Sequence, residues 1–157
     1  MKRVVSKTGN KKALSEREVQ LAVLNHLYKK GWSTKPHIKQ TNEKGVDIRV
    51  QNDKVHSRYF FIETKGESDG KNAGSLSENA FVYSLGQLVT RMKVVEAKYA
   101  YNYGLGLPEK SANISLRRIP WQFTRAVCLY IFSVDRDKKV TQYSWQDLKK
   151  IQNKQSN

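Results

Sequence analysis

Tyr59-Phe60-Phe61-Ile62-Glu63-Thr64-Lys65 carries a carboxylate and an ammonium out of an apolar run. Side chains along a strand alternate between faces, so Glu63 and Lys65 share one face and stand side by side. The near-continuous apolar character before them predicts a strand buried on both faces. Upstream, Asp47 interrupts a second apolar run formed by Val46, Ile48 and Val50. Asn52-Asp53-Lys54 between the two is turn material, so the strands are expected to be antiparallel. A connection centred near Val55 sets Asp47 opposite Glu63, whereas a tight turn at Asn52-Asp53 sets it opposite Arg58.

Working outward, Ser15 and Glu18 form an S-x-x-E capping box. Val19, Val23 and Leu27 then recur at helical spacing, predicting an amphipathic helix over 16–30 that Gly31 closes. A short extended segment is expected over 32–40. After a polar, glycine-containing loop over 66–74, Phe81, Leu85, Leu88 and Met92 mark one face of a helix over 77–93, with Ser84, Gln87 and Arg91 as a separate polar strip. A strand over 98–107 stopped by Pro108, a helical stretch near Leu116 ending at Pro120, a strand over 126–134 and an edge strand over 140–143 complete the pattern. Ser144 and Asp147 can cap a last basic helix. Residues 1–13 read as a flexible basic arm, 14–152 as a single domain and 153–157 as a tail.

The chain has 157 residues, enough for one domain with a core. Its single cysteine, Cys128, lies in an apolar run and reads as a small buried hydrophobe. No apolar segment approaches the roughly 20 residues that span a bilayer, and the basic N-terminus lacks an apolar stretch after its charges. A soluble, cytoplasmic protein without a membrane partner is the expectation. Twenty-nine basic against fourteen acidic residues give a formal net charge of +15, which points to a polyanionic partner, nucleic acid first.

Two carboxylates on neighbouring strands, with a lysine beyond one of them, offer hard oxygen ligands beside a cation. Magnesium takes oxygen ligands, uses few protein carboxylates and keeps several waters, so Asp47 and Glu63 suffice to anchor one ion. Lys65 is then placed to orient a nucleophile or to stabilise charge on a phosphate. Without a metal these acids would repel DNA.

With Gly45-Val46-Asp47-Ile48 as one half of a motif and Ile62-Glu63-Thr64-Lys65-Gly66 as the other, the chain resembles the PD-(D/E)XK nuclease superfamily. The opening helix is similar to that of VRR-Nuc-type and Holliday-junction-resolvase-like members. The resemblance implies an α/β fold of restriction-endonuclease-like type, a mixed β-sheet flanked by helices in the order α-β-β-β-α-β. It implies Mg2+-dependent hydrolysis of DNA phosphodiester bonds, with Mn2+ substituting. Asp47, Glu63 and the backbone carbonyl of Thr64 would be metal ligands and Lys65 the catalytic cation. A helix glutamate supports the site in these relatives, a role that falls on Glu16 with Glu18 as the cap, though either acid remains open. The glutamine common after the E-x-K strand is here Gln87. Val46 stands where the signature proline would be. A homodimer or a partner protein supplying specificity is compatible with this reading. The rival is a basic nucleic-acid-binding module whose carboxylates are structural, and RNA as substrate ranks lower for want of an RNA-specific module.

His26, His37 and His56 lack ligand-like spacing, so no zinc site is expected. Tyr99, Tyr101 and Tyr103 alternate along one strand face. They suit a base-stacking platform or, more commonly, rings buried in a core with hydroxyls at its rim.

Overall fold

The structure, a computed structural model, describes residues 12–55, 57–67, 73–93 and 100–155. The basic arm therefore lies almost entirely outside the described residues. Eleven elements follow in the order α1 (Glu16–Tyr28), β1 (His37–Ile38), β2 (Ile48–Gln51), β3 (Tyr59–Thr64), α2 (Ala73–Thr90), β4 (Tyr101–Pro108), α3 (Glu109–Arg118), α4 (Trp121–Val127), β5 (Leu129–Val134), β6 (Val140–Tyr143) and α5 (Trp145–Gln155). Together they make an α/β fold around an open, mixed six-stranded sheet in spatial order β1-β2-β3-β4-β5-β6.

The hydrogen-bond directions follow from the connections. The short link from Asn52 to Arg58 returns β3 antiparallel to β2, with Asn52 Oδ1 accepting from the Lys54 and Val55 amides. Parallel neighbours need a crossover, which α2 supplies between β3 and β4 and the α3–α4 pair supplies between β4 and β5. β6 returns antiparallel along the far edge.

Each sheet face has its own core. Ile48, Val50, Phe60, Ile62, Phe132 and Val134 pack against Val19, Val23, Leu24 and Leu27 of α1. Phe61, Tyr103, Leu105, Leu129 and Ile131 face the opposite way, toward Phe81 and Leu88 of α2, Ala112 and Leu116 of α3, and Leu148 of α5. The alternation read in β3 thus sends its side chains into two separate cores, as its continuous apolarity predicts. Among the described residues no helix is long and apolar enough to cross a membrane.

α1 starts on the expected reciprocal cap: Ser15 Oγ accepts from the Glu18 amide at 3.2 Å while the Ser15 amide donates to Glu18 Oε2 at 2.9 Å. It ends two residues earlier than expected, with Gly31 at φ +84° turning the chain away. α2 starts earlier than its apolar spacing suggested, at Ala73, and α5 runs on to Gln155, past the domain boundary read at 152. Pro108 closes β4 from inside the ladder, paired with Val134, and directly precedes α3.

The expected strand over 126–134 is corrected. Ala126 and Val127 finish α4, Cys128 adopts a left-handed conformation at φ 54°, and β5 begins only at Leu129. An apolar run cannot by itself separate a helix end from a strand start. Cys128 is half-buried at this junction rather than enclosed.

β3 is also anchored beyond its last residue. The Glu67 amide donates to the Leu14 carbonyl at 2.7 Å, the Leu14 amide donates to Glu67 Oε2 at 3.0 Å, and Gly66 lies directly against this junction. A Cβ at Gly66 would stand 2.5 Å from the Glu16 amide nitrogen and 2.9 Å from the Leu14 carbonyl oxygen, both backbone atoms that cannot swing aside. Gly66→Ala is therefore expected to destabilise the fold by roughly 1–3 kcal/mol, the usual cost of overpacking, measurable as a lower thermal midpoint. An unchanged midpoint would show that the α1 entry is free to shift.

Candidate functional site: a buried acid pair at the end of β3

The antiparallel register pairs Ile48 with Ile62, so carried one residue further it sets Asp47 opposite Glu63. Of the two registers compatible with the sequence, the longer connection is the one adopted. On the other side β1 pairs Ile38 with Ile48, and the Lys39 amide donates to the Asp47 carbonyl at 3.0 Å. Lys39, Asp47 and Glu63 thus form one rung across three strands.

Both acids are withdrawn from solvent, Asp47 at 4% and Glu63 at 0% relative exposure. A buried carboxylate must find donors or take up a proton. Asp47 finds them: its Oδ2 accepts from the Thr64 amide at 2.8 Å and the Thr64 hydroxyl at 3.2 Å, and Lys39 Nζ lies 2.8 Å from Oδ1. Burial alone would raise its pKa, but Lys39 and the Thr64 amide outweigh burial, Lys65 adds to them, and Asp47 is held below the ordinary aspartate value. Glu63 has one partner, the Arg91 guanidinium on its Oε1, while its Oε2 is buried with no partner among the described residues. Burial first, and the charge of Asp47 second, push its pKa up to about 7 against the pull of Arg91. Two adjacent carboxylates are thereby sorted into one that stays ionised and one that holds a proton near neutrality.

The remaining predicted residues are placed around this pair. Thr64 is fully buried and positions Asp47 through its amide and hydroxyl. Lys65 follows β3, its amide donating to the Gly106 carbonyl at 3.0 Å, and its Nζ stands 3.9 Å from Glu16 Oε2. Glu16 therefore meets the lysine and not the acid pair, while Glu18 is occupied by the cap and by Lys138 at 3.0 Å. Lys65 and Glu16 line a cleft of about 460 Å³ between the start of α1 and the first turns of α2. Gln87 lies on α2 one turn before Arg91, and its Oε1 is buried with no partner among the described residues.

Spacing along the sequence does not mark Lys39 or Arg91 as site residues, although Arg91 shares a polar helix strip with Ser84 and Gln87. That strip was the available signal, because a polar line on a helix otherwise packed on a sheet implies something polar beneath it. Lys39 had no local signal, since only the β1–β2 register brings it to Asp47. His26 Nε2 lies 3.0 Å from Gln142 Oε1 and is half-buried rather than on the helix surface, and His37 Nε2 lies 2.6 Å from Glu43 Oε1. His56 and Tyr99 lie outside the described residues.

Among the described residues no three His, Cys, Asp or Glu side chains are grouped to hold a metal, so the carboxylate set is Asp47 and Glu63 alone. That set still fits a hard divalent ion, which takes few protein carboxylates, and the unpartnered oxygen of Glu63 is the kind of ligand it seeks. No protein-family model matches the chain, and neither a curated protein nor a solved structure matches it.

The raised Glu63 pKa sets a sign for stability against pH. Folded Glu63 holds a proton that the unfolded chain has lost between the ordinary glutamate value of 4.5 and about 7, so its contribution to stability falls as pH rises through that window. Glu63→Gln removes the titration while keeping an acceptor for Arg91. Its stability relative to wild type is expected to improve by up to a few kcal/mol from pH 5 to pH 8, read from thermal midpoints. A gap that does not move with pH would place Glu63 at an ordinary pKa.

Proposed function

We propose that the chain is a metal-dependent endonuclease hydrolysing phosphodiester bonds in DNA, with its mixed sheet arranged as in the PD-(D/E)XK nucleases. The observation that carries this reading is the register that buries Asp47 against Glu63 and leaves Glu63 Oε2 without a donor. Asp47, Glu63 and the carbonyl of Thr64 would hold Mg2+ or Mn2+. A bound ion of this kind offsets charge developing on a phosphodiester and makes water more acidic.

The protein's own groups supply the rest. Thr64 locks the Asp47 carboxylate in one orientation, and Lys39 keeps it ionised. Glu63 changes protonation near neutral pH and so can surrender its proton when a cation arrives. Lys65 brings an ammonium to the end of β3, where it stabilises negative charge on the phosphate or orients the nucleophile. Glu16 acts through Lys65 as a positioning residue. Gln87 offers a further oxygen acceptor from α2. The formal net charge of +15 favours association with a polyanion.

One observation favours the rival reading of a non-catalytic nucleic-acid-binding module: Lys39 and Arg91 neutralise the acids in place, as a structural charge network would. Metal titration separates the two. With magnesium and a panel of linear, flapped, branched and single-stranded DNA, the wild type is expected to cleave. Glu63→Gln, Asp47→Asn and Lys65→Ala are each expected to lose at least roughly a hundredfold in rate while retaining DNA binding. Calorimetry should give a magnesium-binding signal that Asp47→Asn abolishes. Undiminished cleavage by these variants, or no heat of metal binding in the wild type, would overturn the proposal.

A further inference from the structure

On the α2–α3 side of the sheet, two rungs lie below the one that carries the acids. The first runs His37–Arg49–Phe61–Tyr103, and the second pairs Gln51 with Tyr59 and Tyr59 with Tyr101. Same-face rungs are separated by about 7 Å along the strands. Tyr59 and Tyr101 are half-buried and stacked at 5.8 Å with an interplanar angle of 20°, and Tyr101 also meets Phe61 at 5.4 Å. α2 and α3 pack over β3, β4 and β5, and the surface over β1 and β2 beside these rings is a groove of about 500 Å³. That is within the ~300–1,000 Å³ usual for small-ligand sites.

The groove is basic. Lys35, Arg49 and Lys93 line it with the tyrosines, all three are exposed, and none makes an ion pair within 4 Å among the described residues, Arg49 acting on the Glu43 carboxylate only from a longer range. A narrower recess of about 190 Å³ shares His37, Arg49, Phe61 and Lys93 with it and is also lined by Arg91, whose guanidinium sits on Glu63. Glu43, the carboxylate of that recess, is held by His37 Nε2 at 2.6 Å and by the Gln40 amide at 3.1 Å. Cations beside ring faces in a concavity suit an anionic ligand that also carries flat apolar rings. A duplex keeps its base faces inside its own stack, so only unpaired nucleotides offer both phosphates and a free base face.

We propose that this groove binds unpaired nucleotides of the nucleic-acid substrate, a base packing on the Tyr59–Tyr101 pair and flanking phosphates meeting Lys35, Arg49 and Lys93. The strand would then lead along the recess toward the acid pair. Its description as a substrate subsite rests on the nuclease reading, whereas the binding itself does not. A chain with this groove acts where a single-stranded segment adjoins the bond to be cut.

The test uses the full chain in EDTA, so that binding is read without cleavage. Fluorescence anisotropy with a labelled oligo-dT and a blunt duplex of equal length, at fixed salt, compares wild type with Tyr101→Leu, Tyr101→Phe and Arg49→Gln. Tyr101→Leu is expected to weaken oligo-dT binding roughly tenfold, the size of one base–aromatic stack, and to leave duplex binding unchanged. Tyr101→Phe keeps the ring and should bind as wild type. Arg49→Gln, at an exposed position that does not threaten folding, should weaken oligo-dT binding and reduce its logarithmic salt slope by about one. An oligonucleotide carrying 5-iodouracil should photo-crosslink to Tyr59 or Tyr101, located by peptide mass spectrometry. Equal losses on both probes, no loss with either variant, or crosslinks confined elsewhere would overturn the groove. Wild type that crosslinks at Tyr101 but never cleaves with magnesium keeps the groove and removes the nuclease. Cleavage indifferent to Tyr101→Leu, with crosslinks elsewhere, does the reverse.

Discussion

Two carboxylates buried side by side constrain everything around them. Each would cost several kcal/mol to bury ionised and alone, and together they repel. The molecule answers with a different device for each. Asp47 is ionised and fixed by the Thr64 amide and hydroxyl and by Lys39, while Glu63 has a single cation and a pKa drawn up to about 7. The parts of this answer come from the segment after β1, the residue before β2, the end of β3 and the residue after α2. The charge network therefore fixes how β1, β2, β3 and α2 are set against one another.

The sheet's coverage explains why the acids can sit where they do. α1 packs on one face, while α2, α3, α4 and α5 contribute to the core on the other. On that second face the helices lie over β3, β4 and β5, so the β1–β2 side carries polar and charged residues instead of core. The acid rung stands at the carboxyl end of β3, which pairs antiparallel with β2 along one edge and parallel with β4 along the other. The same one-sided coverage leaves Tyr59 and Tyr101 half-buried, part core and part groove wall. Of the alternating tyrosines of β4, Tyr101 is half-buried and Tyr103 lies in the core at 6% exposure.

Legibility in the sequence followed the range of the interactions. The α1 cap was legible because its partners lie three residues apart, and β3 was legible because its apolar run is unbroken. Asp47 and Glu63 could be named as site candidates, but their register depended on whether the chain turned at Asn52-Asp53 or ran on to Arg58, which strand patterning does not decide. α4 was obscured because its end and β5 share one apolar run, and the break is a left-handed Cys128, a conformation uncommon for a non-glycine residue. Lys39 and Arg91 were illegible as ion-pair partners because cross-strand and helix-to-sheet packing, not spacing along the chain, brings them to the acids.

A charge network with only a structural purpose has a simpler substitute. Replacing a buried ion pair with apolar residues of similar volume is often neutral or stabilising, so such a pair is weak evidence of a contribution to stability. Here the alternative is close at hand, since the next same-face pair along the two strands, Arg49 and Phe61, already sets an exposed cation against a buried ring. Beside it the chain keeps two acids, two cations and an unpartnered carboxylate oxygen. Arg91 and Lys39 balance the charge without donating to Glu63 Oε2, which leaves one buried acceptor without a partner among the described residues. A buried acceptor left without a donor is an unmet hydrogen-bonding demand that packing alone does not explain.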